Sequence, residues 1–345
     1  MSTRRIIVFI AAIAVVAALV LLELHRSSAH NAKQVSLTVL ESSTAPIFTD
    51  PANITLLASS KDGQRIYSLD RMTGELFVYD RKSKHLRRAG NSLSKAEAFT
   101  VGPGDDFYLA QSDSTVQIMN SQGRRLNKFA TAYPRSIGVL SNGNIVVASP
   151  FAGKLLHLYS SKGALIARFG ELRKFDSDPV QNVFFNWGKV TIGSGDHIYY
   201  VSTYAPEPYV ARFSCEGQFL EEFQVEGDAV DYQTELARNF LTRRKAGQSG
   251  GVTIITAATV NPDTGHLFLG MNGLSTGGTV YEYDQTGTKV REYALLLNSN
   301  NKRHNVTNVK DITVSFDSLE VLTSGGTYSF KFSDRVVADD LRFRP

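Results

Sequence analysis

The chain has 345 residues, of which 42% are hydrophobic and 10% aromatic, so it can bury a large core and does not have a disordered composition. Its 37 Lys and Arg residues against 33 Asp and Glu leave a net charge of +4, and this thin excess gives no support for a nucleic-acid-binding protein. The single cysteine, Cys215, excludes an intramolecular disulfide and any zinc cluster built on several thiolates.

The N-terminus carries an apolar run from Ile6 to Leu22 that follows Arg4 and Arg5. As a helix the run would extend about 26 Å, which is near the lower limit for crossing a bilayer and slightly long for the core of a signal peptide. The two arginines favour a cytoplasmic N-terminus. We therefore expect residues 1–29 to be a signal peptide or a signal anchor. The remainder would be periplasmic or secreted, and if the segment is retained, residues 6–22 would hold the protein in the membrane.

Beyond residue 50, apolar and polar residues alternate over short stretches separated by Gly, Asn, Asp and Ser, which is typical of strands and turns. One unit recurs, in which a strand ends in an aromatic residue or Met, a polar turn follows, and a new strand starts after glycine. Its landmark residues are Tyr79, Met119, Tyr159, Phe213, Tyr283 and Phe332. A tight turn followed by an alternating strand, as at residues 142–147, precedes most landmarks.

Together the two elements predict six units of four strands each. Four-stranded units at this period are typical of propeller blades. We therefore predict an all-β fold, a six-bladed β-propeller of four-stranded blades over residues 52–345, preceded by the N-terminal apolar helix. An all-β sandwich with accidental internal similarity is the competing interpretation. Residues 30–51 form a linker or a closing strand, since either Gln34–Leu40 or Val336–Phe343 could complete the last blade.

The repeat resembles NHL-repeat and related six-bladed propellers of the TolB-like and gluconolactonase-like superfamily. The resemblance lies in its second strand, as at Gly195–Tyr200, and in its aromatic-polar-polar-x-Gly turn, as at Tyr159–Gly163. The resemblance covers about residues 52–334 and implies the propeller fold. It does not imply one function, because that superfamily includes interaction scaffolds, calcium-dependent lactonases, strictosidine-synthase-like proteins and an amidating lyase.

Insertions that lengthen the repeat fall in loops that a propeller brings to one face. They are Glu171–Phe185, Tyr204–Pro208, Glu226–Gly251, Gly273–Gly278 and Asn298–Asn305. Long loops on a rigid scaffold often carry binding sites, although exposed loops also vary in length without a function. Within the longest insertion, Glu226–Gly251, apolar residues recur at helical spacing over Val230–Lys245. This spacing predicts a short amphipathic helix. We expect a protein, peptide or glycan to bind this loop-rich face of blades 3–6.

Alignment of the first strands predicts a ring of residues near the mouth of the central channel: Asn53, Glu97, Arg135, Gly188, Thr256 and Lys310, with Asp311 adjacent. In a calcium-dependent lactonase, Asn53, Glu97 and Asp311 would supply oxygen ligands. The cations Arg135 and Lys310 oppose a metal ion. They favour instead a Glu97–Arg135 ion pair or recognition of an anionic group. We therefore predict no cofactor, with calcium as the alternative.

Aromatic residues flank the same mouth. Trp187 precedes the fourth inner strand, and Tyr204 and Tyr209 bracket a Pro-Glu-Pro turn. Exposed rings could stack on a sugar or clamp a peptide, whereas packing between blades is the alternative. The histidines lack zinc-ligand spacing, and no nucleophile elbow, phosphate-binding loop or dinucleotide fingerprint occurs.

The leading hypothesis is an exported, non-enzymatic scaffold. Its candidate binding residues are Glu97, Arg135, Trp187, Tyr204, Tyr209, Lys310 and Asp311. A calcium-dependent lactonase-type hydrolase and a stabilising subunit of an envelope complex are the alternatives. We expect no nucleic-acid partner, and the sequence gives no indication of the oligomeric state.

Overall fold

The computed structural model describes residues 37–42, 46–48, 54–90, 93, 96–244, 250–273, 277–299, 302–315, 317–332 and 335–337. Leu37–Pro345 forms one compact unit. The predicted signal segment, residues 1–29, lies outside the described residues. Within the described part of the chain, no helix is long and apolar enough to cross a membrane.

Blades 1 to 4 are antiparallel meanders of four strands paired in chain order. After β1 (Leu37–Ser42), their strands are β2 (Ile54–Ser59), β3 (Arg65–Asp70), β4 (Leu76–Asp80) and β5 (His85–Gly90) in blade 1; β6 (Ala96–Val101), β7 (Phe107–Gln111), β8 (Thr115–Met119) and β9 (Arg125–Ala130) in blade 2; β10 (Ser136–Val139), β11 (Ile145–Ala148), β12 (Leu156–Tyr159) and β13 (Leu165–Phe169) in blade 3; and β14 (Gly188–Ile192), β15 (Ile198–Ser202), β16 (Tyr209–Phe213) and β17 (Phe219–Gln224) in blade 4.

Blade 5 is enlarged and blade 6 has three strands in the described part of the chain. The remaining strands are β18 (Ile255–Val260), β19 (Leu267–Gly273), β20 (Gly277–Tyr283), β21 (Lys289–Ser299) and β22 (Lys302–Asn305) in blade 5; β23 (Asp311–Val314), β24 (Ser318–Leu322) and β25 (Thr327–Lys331) in blade 6; and β26 (Arg335–Val337). The predicted all-β, six-bladed propeller is confirmed, with four strands in every blade except these two.

Two helices lie in the loops between blades, α1 (Pro179–Phe185) and α2 (Asp228–Arg243). Helix α2 confirms the helix that the spacing of apolar residues predicts. We call the side with these inter-blade connections the loop face. The other side, which carries the turns after the first and third strands of each blade, is the hairpin face.

In the described part of the chain, the predicted closing strands do not pair with blade 6. Strand β1 pairs in parallel with β21 on the outer edge of blade 5, and β26 pairs with β1. The described parts of both predicted closing strands therefore add to blade 5 rather than to the last blade. The reason is packing, since Leu40 of β1 joins the hydrophobic cluster that Tyr293 and Phe330 form between blades 5 and 6. Phe48 forms an isolated bridge to Thr327 on the outer strand of the described part of blade 6.

A contact repeated between neighbouring blades explains the glycine of the recurrent turn. The fifth residue of an outer strand packs its ring on the landmark ring of the next blade, with centroids 5.0–5.1 Å apart at Phe129–Tyr159, Phe169–Phe213 and Phe223–Tyr283. The same rings cover the turn glycines Gly163, Gly217 and Gly287, whose φ angles are +86°, +86° and +74°. A Cβ on any of these glycines would lie 2.5 Å from the covering ring. Only glycine satisfies both the backbone angle and the contact.

We predict that Gly217→Ala lowers the free energy of unfolding by about 2–4 kcal/mol, because it adds a left-handed backbone penalty to a clash with Phe169. Gly153→Ala is the matched control. Its φ is +85°, but an added Cβ meets nothing within 4 Å, so we expect a loss of only about 1–2 kcal/mol. Urea denaturation measures both. Equal losses of unfolding free energy in Gly217→Ala and Gly153→Ala would contradict a clash between residue 217 and Phe169. So would a Gly217→Ala loss that is as large in a Phe169→Ala background as in the wild type.

Candidate functional site

The inner strands of the six blades line a central channel of 640 Å³. Four charged side chains lie where these strands begin, next to the loop face: Glu97, Arg135, Lys189 and Asp311. We call this end the channel mouth. Lys61 and Asp196 line the opposite end.

The mouth differs from the sequence alignment at three blades. Lys189 and Asp311 line it where Gly188 and Lys310 are predicted, and in blade 5 Ala258 lines the channel whereas the predicted Thr256 does not. Successive side chains of a strand point to opposite sides. The Asp311 carboxylate contacts blades 1 and 4 and lines the channel, whereas the adjacent Lys310 does not line it. Lys310 therefore does not take part in the mouth as predicted.

The Asp311 carboxylate joins three blades. Its Oδ2 accepts a hydrogen bond from the backbone N–H of Leu57 in blade 1 at 3.0 Å, and its Oδ1 lies 3.1 Å from Nζ of Lys189 in blade 4. Blade 5 stands between blades 4 and 6 in the ring, so the Lys189–Asp311 pair reaches past its inner strand. That strand presents the small residue Ala258 to the channel. Both pair members are largely buried, with side chains 27% and 11% exposed.

Glu97 holds two arginines at the other side of the mouth. Its Oε2 lies 2.9 Å from Nη2 of Arg71 and 3.4 Å from Nη1 of Arg135. The predicted Glu97–Arg135 ion pair is therefore present. The Arg135 guanidinium also lies 3.8 Å from the centroid of the Trp187 ring. This cation–π contact, of about 0.5–2 kcal/mol, joins the mouth to the aromatic residues outside it.

The described carboxylates of the mouth do not fit a calcium ion. Calcium takes six to eight oxygen ligands, whereas Glu97 is paired with two arginines and both Asp311 oxygens already have partners. Asn53, the third predicted ligand, lies outside the described residues. No group of three or more His, Cys, Asp or Glu side chains among the described residues could hold a metal ion.

A continuous row of five rings lies on the loop face beside the mouth. We call it the aromatic surface, and it consists of Tyr133, Phe151, Trp187, Phe184 and Tyr204, whose successive centroids are 5.1, 6.3, 4.7 and 4.5 Å apart. Tyr133 is 57% exposed and Phe151 41%. Tyr133 also has a φ of +43°, a strained angle for a tyrosine that surrounding structure must hold in place.

The loops that carry these rings are anchored by polar contacts. Asp178 caps α1 by accepting hydrogen bonds from the backbone N–H groups of Val180 and Gln181 at 2.9 and 3.3 Å. Arg244, beyond the end of α2, lies 2.7 Å from the Asp176 carboxylate. A hydrogen bond from the Asp178 backbone N–H, helped by Arg244, keeps the pKa of Asp176 below its usual value. Phe185, the last residue of α1, is fully buried, whereas the adjacent Phe184 is half-buried.

Two of the three predicted aromatic residues belong to this surface, and one does not. Trp187 and Tyr204 lie within it. Tyr209 is 1% exposed, and its ring lies 3.6 Å from the Arg173 guanidinium. Burial raises the pKa of Tyr209 well above its usual range. Because Tyr209 begins an inward-packed strand of blade 4, it supports the loop from below instead of facing a ligand.

Tyr133 and Phe151 are absent from the sequence prediction. They lie in short connections of blade 3 that carry no insertion, so loop length does not reveal them. The available signal is an aromatic residue beside a proline in a connection between strands, as at Tyr133-Pro134 and Pro150-Phe151.

The sequence matches no protein-family model and no curated protein. Among solved structures, a chain of Kuenenia stuttgartiensis hydrazine synthase is similar in fold, with 11% sequence identity and a TM-score of 0.52 over 83% of this chain and 97% of that chain. The Dos1 propeller has 12% identity and a TM-score of 0.43 over 79% of this chain and 67% of that chain. At these identities the likeness to hydrazine synthase shows the fold alone, and membership of the NHL-repeat group stays a prediction.

We predict that millimolar calcium leaves the melting temperature unchanged relative to EGTA, because the described carboxylates of the mouth already have partners. Thermal melts in calcium and in EGTA measure this. Lys189→Ala is the control, since it frees one Asp311 oxygen and should lower the melting temperature in both solutions. A rise of several degrees in the wild type that EGTA reverses would contradict the assignment.

Proposed function

We propose that the protein is an exported, non-enzymatic binding scaffold whose partner docks on the aromatic surface. The observation that carries this proposal is the continuous row of five rings, two of them 57% and 41% exposed. Single exposed apolar residues are ordinary on a protein, but contiguous exposed aromatics are enriched where partners bind.

The surface is supported by a rigid base, which favours binding because little conformational entropy is lost when a partner docks. The capped helix α1, the Arg244–Asp176 ion pair and the stacking of Arg135 on Trp187 hold three of its parts in place. Gln181 adds a hydrogen bond of 2.6 Å from its side-chain amide to the carbonyl oxygen of Gly250, which fastens α1 to the loop after α2.

The partner is a peptide segment, a protein or a glycan that lays apolar or ring faces along the row. Export rests on the apolar run Ile6–Leu22 behind two arginines. The lactonase alternative has no support at the mouth, because its two described candidate ligands, Glu97 and Asp311, are held by cations.

We predict that Phe151→Ala and Tyr133→Ala each weaken binding about fivefold or more, because truncating an anchor ring typically costs over about 1 kcal/mol. Peptide-display and glycan-array screens on immobilised wild-type protein would supply the ligands, and titration of each variant would measure the loss. Phe219→Ala is the matched control, since Phe219 is 62% exposed at the hairpin end of blade 4.

Ligands that bind both surface variants as tightly as the wild type would refute the proposal. The screen that yields surface-dependent ligands, peptide or glycan, identifies the partner class. A ligand lost only in Phe219→Ala would move the binding site to the hairpin face.

A further inference from the structure

The outer edges of blades 1 to 3 concentrate positive charge. Residues 80–90, 120–130 and 160–169, which hold the last turn and outer strand of these blades, contain ten Lys and Arg residues and one acidic residue, Asp80. The same part of blade 4, residues 214–224, contains three glutamates and no Lys or Arg. The net charge of +4 for the whole chain therefore conceals a strongly asymmetric distribution.

Most of these cations are exposed and have no acidic partner in the described part of the chain. Arg81 pairs with Glu320, Arg88 with Glu75 and Lys128 with Asp113. The other seven are exposed and form no ion pair with any described residue: Lys82, Lys84, Arg87, Arg124, Arg125, Lys162 and Arg168. Successive blades are in contact here, because the Asn127 side chain of blade 2 donates a hydrogen bond of 3.1 Å to the Lys162 carbonyl oxygen of blade 3.

Aliphatic side chains are exposed among the same cations. They are Leu86 at 41%, Leu126 at 49%, Leu165 at 45% and Ile166 at 54%. Charged residues on edge strands protect against unwanted sheet pairing, and blade 4 achieves this with glutamates. Edge protection does not require one sign of charge on three consecutive blades, nor does it account for the exposed aliphatic side chains.

We propose that this part of the protein binds the headgroup region of an anionic lipid bilayer. We call it the basic surface. It consists of the seven cations that have no ion-pair partner among the described residues and the four exposed aliphatic residues. Lysines and arginines attract anionic headgroups, and aliphatic side chains between them enter the boundary with the acyl chains. A nucleic acid would attract the cations but gain nothing from the aliphatic residues, so the combination favours a bilayer. The aromatic surface belongs to the loop face and remains available to its partner.

Vesicle co-sedimentation of residues 37–345 tests the proposal. This chain is one compact unit that retains every described strand and lacks the apolar run. We expect it to bind phosphatidylcholine vesicles only when they contain phosphatidylglycerol, and to be released by salt. Arg125→Gln should weaken binding about fivefold, the contribution of one cation near an anionic leaflet.

The aliphatic residues provide the sharper test. Leu126→Ser and Ile166→Ser should each weaken vesicle binding several-fold while leaving the salt dependence unchanged, because they remove apolar contact and no charge. Leu220→Ser is the matched control, at the equivalent position of acidic blade 4 and 42% exposed. It should bind as the wild type does. Thermal melts verify that each variant is folded.

Three results would overturn the proposal. They are equal binding to vesicles without phosphatidylglycerol, a loss in Leu220→Ser as large as in Leu126→Ser, and absence of vesicle binding. If an oligonucleotide or heparin then binds with an affinity that Leu126→Ser does not change, the basic surface belongs to a soluble polyanion. None of these results bears on the aromatic surface, so the two proposals fail independently.

Discussion

The Asp311 carboxylate is the group on which both ring closure and the channel mouth depend. It connects blade 6 to the backbone of blade 1 through Leu57 and to blade 4 through Lys189. The described part of blade 6 lacks a full fourth strand, so side chains supply the other contacts that hold it to blade 1. They include the Arg81–Glu320 ion pair, a 2.9 Å hydrogen bond from Thr313 to Ser59, and the packing of Phe48 in a cluster with Leu57 and Leu322. Glu320 is fully buried, which raises its pKa, while the adjacent Arg81 stabilises the charged form.

The side chains that hold the ring closed also occupy the charged groups of the channel mouth. The described acidic groups at the mouth that could bind a cation or assist a reaction are already neutralised, Glu97 by two arginines and Asp311 by Lys189. These ion pairs hold blades together at the mouth, and both proposed binding surfaces lie outside the channel. The aromatic surface on the loop face and the basic surface on the outer edges of blades 1 to 3 are two such regions with different chemistry, one suited to ring or apolar groups and one to anionic headgroups.

The sequence pattern predicted the features that depend on neighbouring residues in the chain, namely the strands, the turns and the number of blades. The period of strands and turns indicated six blades, and the turn glycine is explained by contacts between adjacent blades, such as that of Phe169 with Gly217. The Lys189–Asp311 ion pair could not be predicted from local patterns because its members are 122 residues apart in the chain. In addition, a one-residue difference in strand register decides which side chain faces the channel. The closing strands were placed on the wrong blade because their partners, β21 for β1 and β1 for β26, are distant in the chain and a local pattern does not indicate them. The basic surface was overlooked because the acids of other blades balance it in the total charge.

A double-mutant cycle on Lys189→Met and Asp311→Asn tests the central claim, that this pair crosses the channel mouth and holds the closed ring. The amide that Asp311→Asn introduces retains an oxygen for the Leu57 N–H, so the cycle isolates the contact with Lys189. The structure predicts a coupling of about 1–2 kcal/mol in the free energy of unfolding, as expected for a partly buried ion pair. Additivity of the two substitutions within about 0.3–0.5 kcal/mol would contradict the claim, since it would mean that the two side chains do not interact.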